Sequence, residues 1–332
     1  MTHRKTHIGV LGGGSWGTAI IKLLSANTAN LHWWIRSQKT IDYIERHGKN
    51  PDYLSYAALP PQIDMSTDVN AVIRASDIVI IAIPSAFLKS TVVRVKPEVL
   101  QQKIFFSAVK GIIPGQIATV TELLDDYFDV PKKNLGVISG PCHSEEVAME
   151  KHSFLTVGSY DPAIASEMKA FLTSRFMKIS LSDDVRGIEY GSVYKNIIAI
   201  ASGMSLGLGY GDNFQAVLIT NAVREMKIFL KALECNGREL ELSVYLGDVM
   251  VTAYSKFSRN RMFGNMIGKG YSIKSTLTEM KMIAEGYYAV DSVVKIAHKH
   301  QLKLPILETV HQVIYMDQPV EDAFTRLTKF LK

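Results

Sequence analysis

The sequence predicts an α/β chain in which a doubly wound sheet is followed by an all-α half. Three observations predict it. An apolar run, "HIGVL", passes directly into glycines and then into a helical pattern. Short β-branched runs then alternate with helical segments, the pattern of strands joined by crossover helices. After Asp183-Asp184 those runs stop and long helical periodicities take over.

The elements follow in order. "HIGVLGGG" is a short strand ending in glycines, and "SWGTAIIKLLSAN" sets Ala19, Ile20, Leu23 and Leu24 at helical spacing. "LHWWIR" is the second strand. "ASDIVIIAIPS" is nearly continuous in β-branched residues, as in a strand buried on both faces of a parallel sheet. "KIFFSAVKG" and "NLGVISGP" repeat that theme, and each ends in glycine. "SFLTVGS" and "FMKISLSDD" read as strands flanking the helix "AIASEMKAFLTSR". Helical patterns then cover 186–206, 213–235, 243–257, 287–301, 304–316 and 319–331. Asp183 or Asp184 suits a helix N-cap. The boundary falls near 182–190, giving a Rossmann-like domain over 1–185 and an all-helical substrate and catalytic domain over 186–332.

Composition bounds the function. The 332 residues suffice for two domains and are 47% hydrophobic and 21% charged, as in a globular protein with a sizeable core. The net charge of +5 is scattered without a basic run, which argues against a nucleic-acid or membrane patch and leaves room for a small anionic substrate. The two cysteines, Cys142 and Cys235, form no disulfide framework and no CxxC pair, so a reducing compartment and no metal are expected. "MTHRKTHIGVLGGG" lacks the apolar core of a signal peptide, and no apolar run is long enough to span a bilayer. A cytoplasmic protein without stable membrane insertion is expected. Oligomeric state is left open, a homodimer included.

Gly12-Gly13-Gly14-Ser15-Trp16-Gly17 fits GxGxxG between the first strand and its helix. Gly12 permits the tight turn, Gly14 lets backbone approach a pyrophosphate, and Gly17 permits close helix–strand packing. This context predicts a dinucleotide cofactor. An acidic residue at the end of the second strand would hold the ribose hydroxyls of NAD. Here Arg36-Ser37 follows the strand, and an arginine can face a 2′-phosphate, which points to NADP with NAD left open. The alternative for Arg36 is an ordinary surface residue stacking on adenine. Open α/β sheets bind ligands at the carboxyl ends of their strands. Those ends carry Pro84-Ser85, Lys110, and the group Gly140, Cys142, His143 and Ser144. Lys110 is a candidate for an anion or carbonyl. Cys142 reads as a packing residue rather than a nucleophile.

In the second half, "GSVYKNIIAIASG" places Lys195 inside an apolar helix with no carboxylate three or four residues away. A lysine whose stem covers apolar surface is the alternative to a functional one. Asp248 and Thr252 share one helix face. Ser258-Arg259-Asn260-Arg261 follows at or near that helix's end, as a phosphate site or as a positively charged C-terminal cap.

These segments together resemble the NAD(P)-dependent glycerol-3-phosphate dehydrogenases of bacterial type. The shared signatures are "GGGSWGTA", "NPDYL", "IPS", "KG" at Lys110, "SGPCHSEEVA", "GSVYKNIIAIASG", "GLGYGDNFQAVLIT", Asp248 with Thr252, "SRNRMFG" and "AEGYYAV". The resemblance implies interconversion of sn-glycerol 3-phosphate and dihydroxyacetone phosphate, serving lipid precursor synthesis. It implies that Lys195 is the proton-transferring lysine. Lys110, Gly140, Cys142, Lys195, Asp248, Ser258, Arg259 and Asn260 match substrate-site positions. Ser15, Trp16, Arg36, Lys110, Ser144, Arg259, Ile283 and Glu285 match cofactor contacts. Burial or a neighbouring cation such as Lys110 would lower the pKa of Lys195, and Asp248 would orient its ammonium. Four departures mark a divergent branch: Cys142 for serine, His143 for an aromatic or apolar residue, Asn221 for arginine, and "SVYLGD" without a glycine-rich approach. A reductase of ketopantoate or 6-phosphogluconate type and a non-catalytic nicotinamide-binding sensor are the alternatives. The retained Lys110, Lys195 and Asp248 argue against the sensor.

Overall fold

The computed structural model describes residues 6–235, 239–280 and 283–332, so "MTHRK" at the start of the amino-terminal stretch lies outside them. Two compact units result, one of Met1–Val109 with Val120–Val185 and one of Lys110–Thr119 with Arg186–Lys332.

The first unit is built on an eight-stranded sheet ordered β3-β2-β1-β4-β5-β6-β7-β8. The strands are β1 (Ile8–Leu11), β2 (Leu31–Trp34), β3 (Asp64–Ser66), β4 (Ile78–Ile81), β5 (Ile104–Ser107), β6 (Leu135–Ser139), β7 (Ser153–Ser159) and β8 (Met177–Ser182). All neighbours are parallel except β6 and β7. The apolar runs became the central strands because both faces need covering, and β1 and β4 are buried at every residue. The chain winds outward from β1 to β3, then returns to β4 on the other flank of β1. That reversal leaves the carboxyl ends of β1 and β4 at a topological switch point, where such sheets bind ligands. Among the described residues the α-helices of this unit are α1 (Ser15–Leu24), α2 (Gln38–His47), α3 (Val69–Ala75), α4 (Ser85–Val92), α5 (Val120–Phe128), α6 (Ser144–Ala148) and α7 (Pro162–Leu172). Side-chain oxygens of Ser37, Asp68 and Asp161 accept from backbone N–H groups and start α2, α3 and α7. Ile8, Ile80, Trp33 and Phe106 lie in the core.

The second unit is helical: α8 (Val185–Gly207), α9 (Asp212–Ala232), α10 (Asp248–Tyr254), α11 (Arg259–Gly268), α12 (Ile273–Glu279), α13 (Glu285–Lys299), α14 (Pro305–Tyr315) and α15 (Val320–Leu327). Residues 187–205 of α8 are buried throughout, as expected of a helix apolar on all sides. Two readings need correction. The pattern over 243–257 is not one helix, because a π-helical turn, Ser243–Gly247, precedes α10. "SRNR" does not cap the end of that helix. Ser258 is the N-cap of α11, its side chain accepting from Arg261 N at 3.2 Å, so the run opens a new helix. Among the described residues no helix is long and apolar enough to cross a membrane.

Candidate active site

In the first unit the glycine turn is shaped by backbone proximity. Gly12 has φ +128°, and a Cβ on Gly17 would sit 1.9 Å from the carbonyl oxygen of Gly12. Neither position tolerates a side chain. A Cβ on Gly14 would meet nothing within 4 Å, so that face of the turn is open. Buried side chains brace the turn from behind. Trp33 Nε1 donates to Gly12 O at 2.9 Å, and Asn50 Nδ2 donates to Gly13 O at 3.0 Å and to Thr18 Oγ1 at 2.8 Å. Ser15 opens α1, whose first turn holds no acidic residue. The Nε1 of Trp16 is buried with no hydrogen-bond partner among the described residues. An open glycine face, a helix N-terminus free of negative charge and a buried donor without an acceptor fit a dinucleotide pyrophosphate. Arg36 is exposed just past β2.

The other predicted strand-end residues are also here. Gly140 follows β6 at φ +138°. Cys142 is half-buried and packs against the sheet core. His143 is at the N-cap position of α6. Ser144 is buried and its Oγ donates to Glu145 Oε2 at 3.1 Å.

The second unit brings together Lys110, Lys195, Asp248 and Thr252, which come from three separate stretches of the sequence. Lys195 Nζ donates to Asp248 Oδ1 at 2.5 Å and to Thr252 Oγ1 at 2.9 Å. Lys110 Nζ donates to the other oxygen of that carboxylate, Asp248 Oδ2, at 3.0 Å. Asp248 is 1% exposed and Lys195 5%, so their charges interact with little screening by water. Burial pulls the Lys195 ammonium down to a pKa of about 7; Asp248 opposes that pull and Lys110 adds to it. Burial alone would raise the Asp248 carboxyl, but the two ammonium groups outweigh it and hold the pKa below the ordinary value. The cluster is a buried lysine whose ammonium is disfavoured by burial, hydrogen-bonded to a carboxylate whose charged form is favoured by two ammonium groups.

Arg259, half-buried, is the first residue of α11, and its guanidinium pairs with no carboxylate among the described residues. Asn260 is buried, and its Oδ1 accepts from Gly286 N at 2.9 Å, which ties the first turn of α11 to that of α13. Glu285 is the first residue of α13, and Ile283 is half-buried just before it. Of the predicted positions, Gly12, Gly14, Ser15, Trp16, Gly17, Arg36, Gly140, Cys142 and Ser144 therefore lie in the first unit and the rest in the second.

Sequence reasoning missed three buttressing residues. Asn50 and Trp33 brace the glycine turn. Asn196 donates to the carbonyl of Lys110 at 2.6 Å. A polar residue in an apolar context was the available signal for Asn196. One departure also gains a contact: Asn221 exchanges two hydrogen bonds with the backbone of Lys332, at 2.9 and 3.2 Å.

Residues 7–165 match the family model for the NAD-dependent glycerol-3-phosphate dehydrogenase N-terminus, and residues 184–325 match the model for its C-terminus. A glycerol-3-phosphate dehydrogenase [NAD(P)+] of Agathobacter rectalis is 32% identical over 322 residues, covering 97% of this chain and 95% of that protein. Its counterpart from Bacillus subtilis is 33% identical over 323 residues, covering 96% and 92%. The solved glycerol-3-phosphate dehydrogenase of Coxiella burnetii superposes with a TM-score of 0.91 at 28% identity, covering 98% of this chain and 99% of that one. A ketopantoate reductase from Ralstonia eutropha shares the fold alone, with a TM-score of 0.63 at 14% identity and coverage of 95% and 98%. By both halves and by its full-length relatives, this chain belongs to the NAD-dependent glycerol-3-phosphate dehydrogenase family.

Proposed function

We propose that this chain interconverts sn-glycerol 3-phosphate and dihydroxyacetone phosphate with NAD or NADP, supplying glycerol 3-phosphate for phospholipid synthesis. Family membership supports the reaction. The observation that carries it to named atoms is the buried Lys195, which shares Asp248 with Lys110. In this reading residues 1–185 bind the dinucleotide and residues 186–332, joined by the segment from Lys110, carry the substrate chemistry.

The nicotinamide, when bound, accepts or supplies the hydride. The Gly12–Gly17 turn, with Ser15 and Trp16, would hold the pyrophosphate; Arg36, Ser144, Ile283 and Glu285 are further contacts. Oxidation of a secondary alcohol also releases a proton, and a base must lie within hydrogen-bond reach of the hydroxyl. Lys195 in its neutral form takes that proton, and as an ammonium it returns the proton to the alkoxide in the reductive direction. Lys110 adds a second positive charge that stabilises developing negative charge on the substrate oxygen. Asp248 and Thr252 keep the Lys195 amine in one orientation. Ser258, Arg259 and Asn260, at the start of α11, anchor the phosphate, and Gly140 and Cys142 are additional substrate contacts. Holding the phosphate fixes the reacting carbon, and positioning supplies much of the rate in such reactions.

Two free cysteines support a reducing, cytoplasmic setting. A homodimer is tested by analytical ultracentrifugation. The function is tested by following the absorbance of NADH and NADPH with dihydroxyacetone phosphate. Oxidation of either cofactor dependent on that substrate is expected. Turnover of ketopantoate with none of dihydroxyacetone phosphate overturns the reading.

A further inference from the structure

Lys110 and Lys195 are 85 positions apart, yet their ammonium groups share one carboxylate. The segment Lys110–Thr119 leaves the chain of the first unit and belongs with the helical one. The backbone at its start is tied to α8: Asn196, next to Lys195, donates from Nδ2 to the carbonyl of Lys110 at 2.6 Å. Asn196 is 4% exposed, so water competes weakly for that carbonyl. Consecutive residues of one buried helix thus hold the two halves of the second lysine: Lys195 meets its ammonium through Asp248, and Asn196 meets its backbone.

We propose that Asn196 is a positioning residue that fixes the backbone of Lys110, so that the Lys110 ammonium stays beside that of Lys195 across Asp248. The inference rests on the proposed dehydrogenase reaction. Without the Asn196 bond the Lys110 backbone drifts, and its cation no longer opposes protonation of Lys195. Asn196 therefore acts on the charge state of Lys195 through the position of Lys110.

The test uses the full chain with Asn196→Ala and Asn196→Leu, which remove the donor with a smaller and a similar-sized side chain and add no charge. The readout is the pH profile of kcat/KM for oxidation of glycerol 3-phosphate, in the wild-type and Lys110→Met backgrounds. Both variants are expected to move the rising limb to higher pH and to lower kcat by about tenfold to a hundredfold, the scale for a misplacement near 1 Å. In the Lys110→Met background the same substitutions leave the limb where it is. A limb unmoved in the wild-type background, or moved equally in both, overturns the proposal. An inactive wild-type chain would overturn the proposed reaction instead, so the two failures are distinguishable.

Discussion

Gly264 and Ile200 meet backbone to backbone: a Cβ on Gly264 would lie 2.1 Å from the carbonyl oxygen of Ile200. The contact is one rung of a longer crossing. A Cβ on Gly203 would lie 2.1 Å from Arg261 O, and one on Gly268 would lie 2.3 Å from Met204 O. Helices α8 and α11 therefore approach more closely than side chains would allow. Lys195 is carried by the first of these helices and Arg259 by the second, so the crossing sets the distance between them. Gly264→Ala forces the helices apart and is expected to destabilise the chain by about 2–3 kcal/mol, the scale of overpacking a filled core. Urea denaturation followed by circular dichroism measures it, and a midpoint equal to wild type would show that the crossing yields freely.

The pKa of Lys195 sets a second expectation. In the oxidative direction the neutral amine is the active form, so kcat/KM should rise about tenfold per pH unit below about 7 and level above it. In the reductive direction the ammonium is the active form, and the rate should fall above the same pH. Lys195→Met removes the group and should lower kcat by about a hundredfold to ten-thousandfold, the range for general acid–base catalysis, with cofactor binding retained. Steady-state rates with cofactor titration by fluorescence test it. Near-normal turnover in Lys195→Met would dismiss the role.

Arg259 opens a helix whose first turn holds no acidic residue. A dianion placed there gains both the guanidinium and the positive helix end. Arg259→Ala should therefore raise the KM for glycerol 3-phosphate by about tenfold to a hundredfold, the equivalent of one charged hydrogen bond. Lys195→Arg should leave that KM within about threefold while lowering kcat, because it alters proton transfer and not anchoring. Equal KM increases in both variants would place the phosphate elsewhere.

Much of the fold and of the site is legible in the sequence itself. The strands beside the switch point are buried at every residue, so they read as runs without polar side chains, and the glycine turn follows one of them. Lys195 stood out because an apolar helix offered it no local partner, and the structure supplies Asp248 and Thr252 from α10. Other features had no local signature. The periodicity over 243–257 runs through a π-helical turn whose extra residue cannot be seen in apolar spacing. Ser258 can end one helix or begin the next, and only the hydrogen bond from Arg261 N decides which. That Lys110–Thr119 belongs with the helices is a tertiary fact, invisible in a segment that directly follows a strand.

Arg36 bears on cofactor choice. It is exposed beyond β2, where no carboxylate stands in place of the residue that would hold ribose hydroxyls. If it faces a 2′-phosphate, Arg36→Ala should raise the KM for NADPH by about tenfold while changing that for NADH less than about twofold. Parallel titrations with the two reduced cofactors decide. Equal losses would mean that the guanidinium stacks on adenine, which both cofactors share.

Glu225 is a buried carboxylate of α9 that meets the start of α14. Its oxygens accept from Ile306 N at 2.7 Å, Leu307 N at 3.2 Å and the Tyr194 hydroxyl at 3.1 Å, so α9 caps α14. Burial raises its pKa to about 7, although those three donors act in the opposite sense. The sign of the linkage follows. Below about 4.5 the group is protonated whether the chain is folded or not; between about 4.5 and 7 the folded chain alone holds the proton; above that range both forms are charged. The contribution to stability is thus full below the lower value and is lost as pH rises through the upper one. Glu225→Gln cannot titrate. The stability of wild type relative to this variant should fall by a few kcal/mol between those two pH values and stay flat outside them. Urea titrations of both proteins across that range measure the difference, and parallel pH profiles would show that Glu225 remains charged in the folded chain.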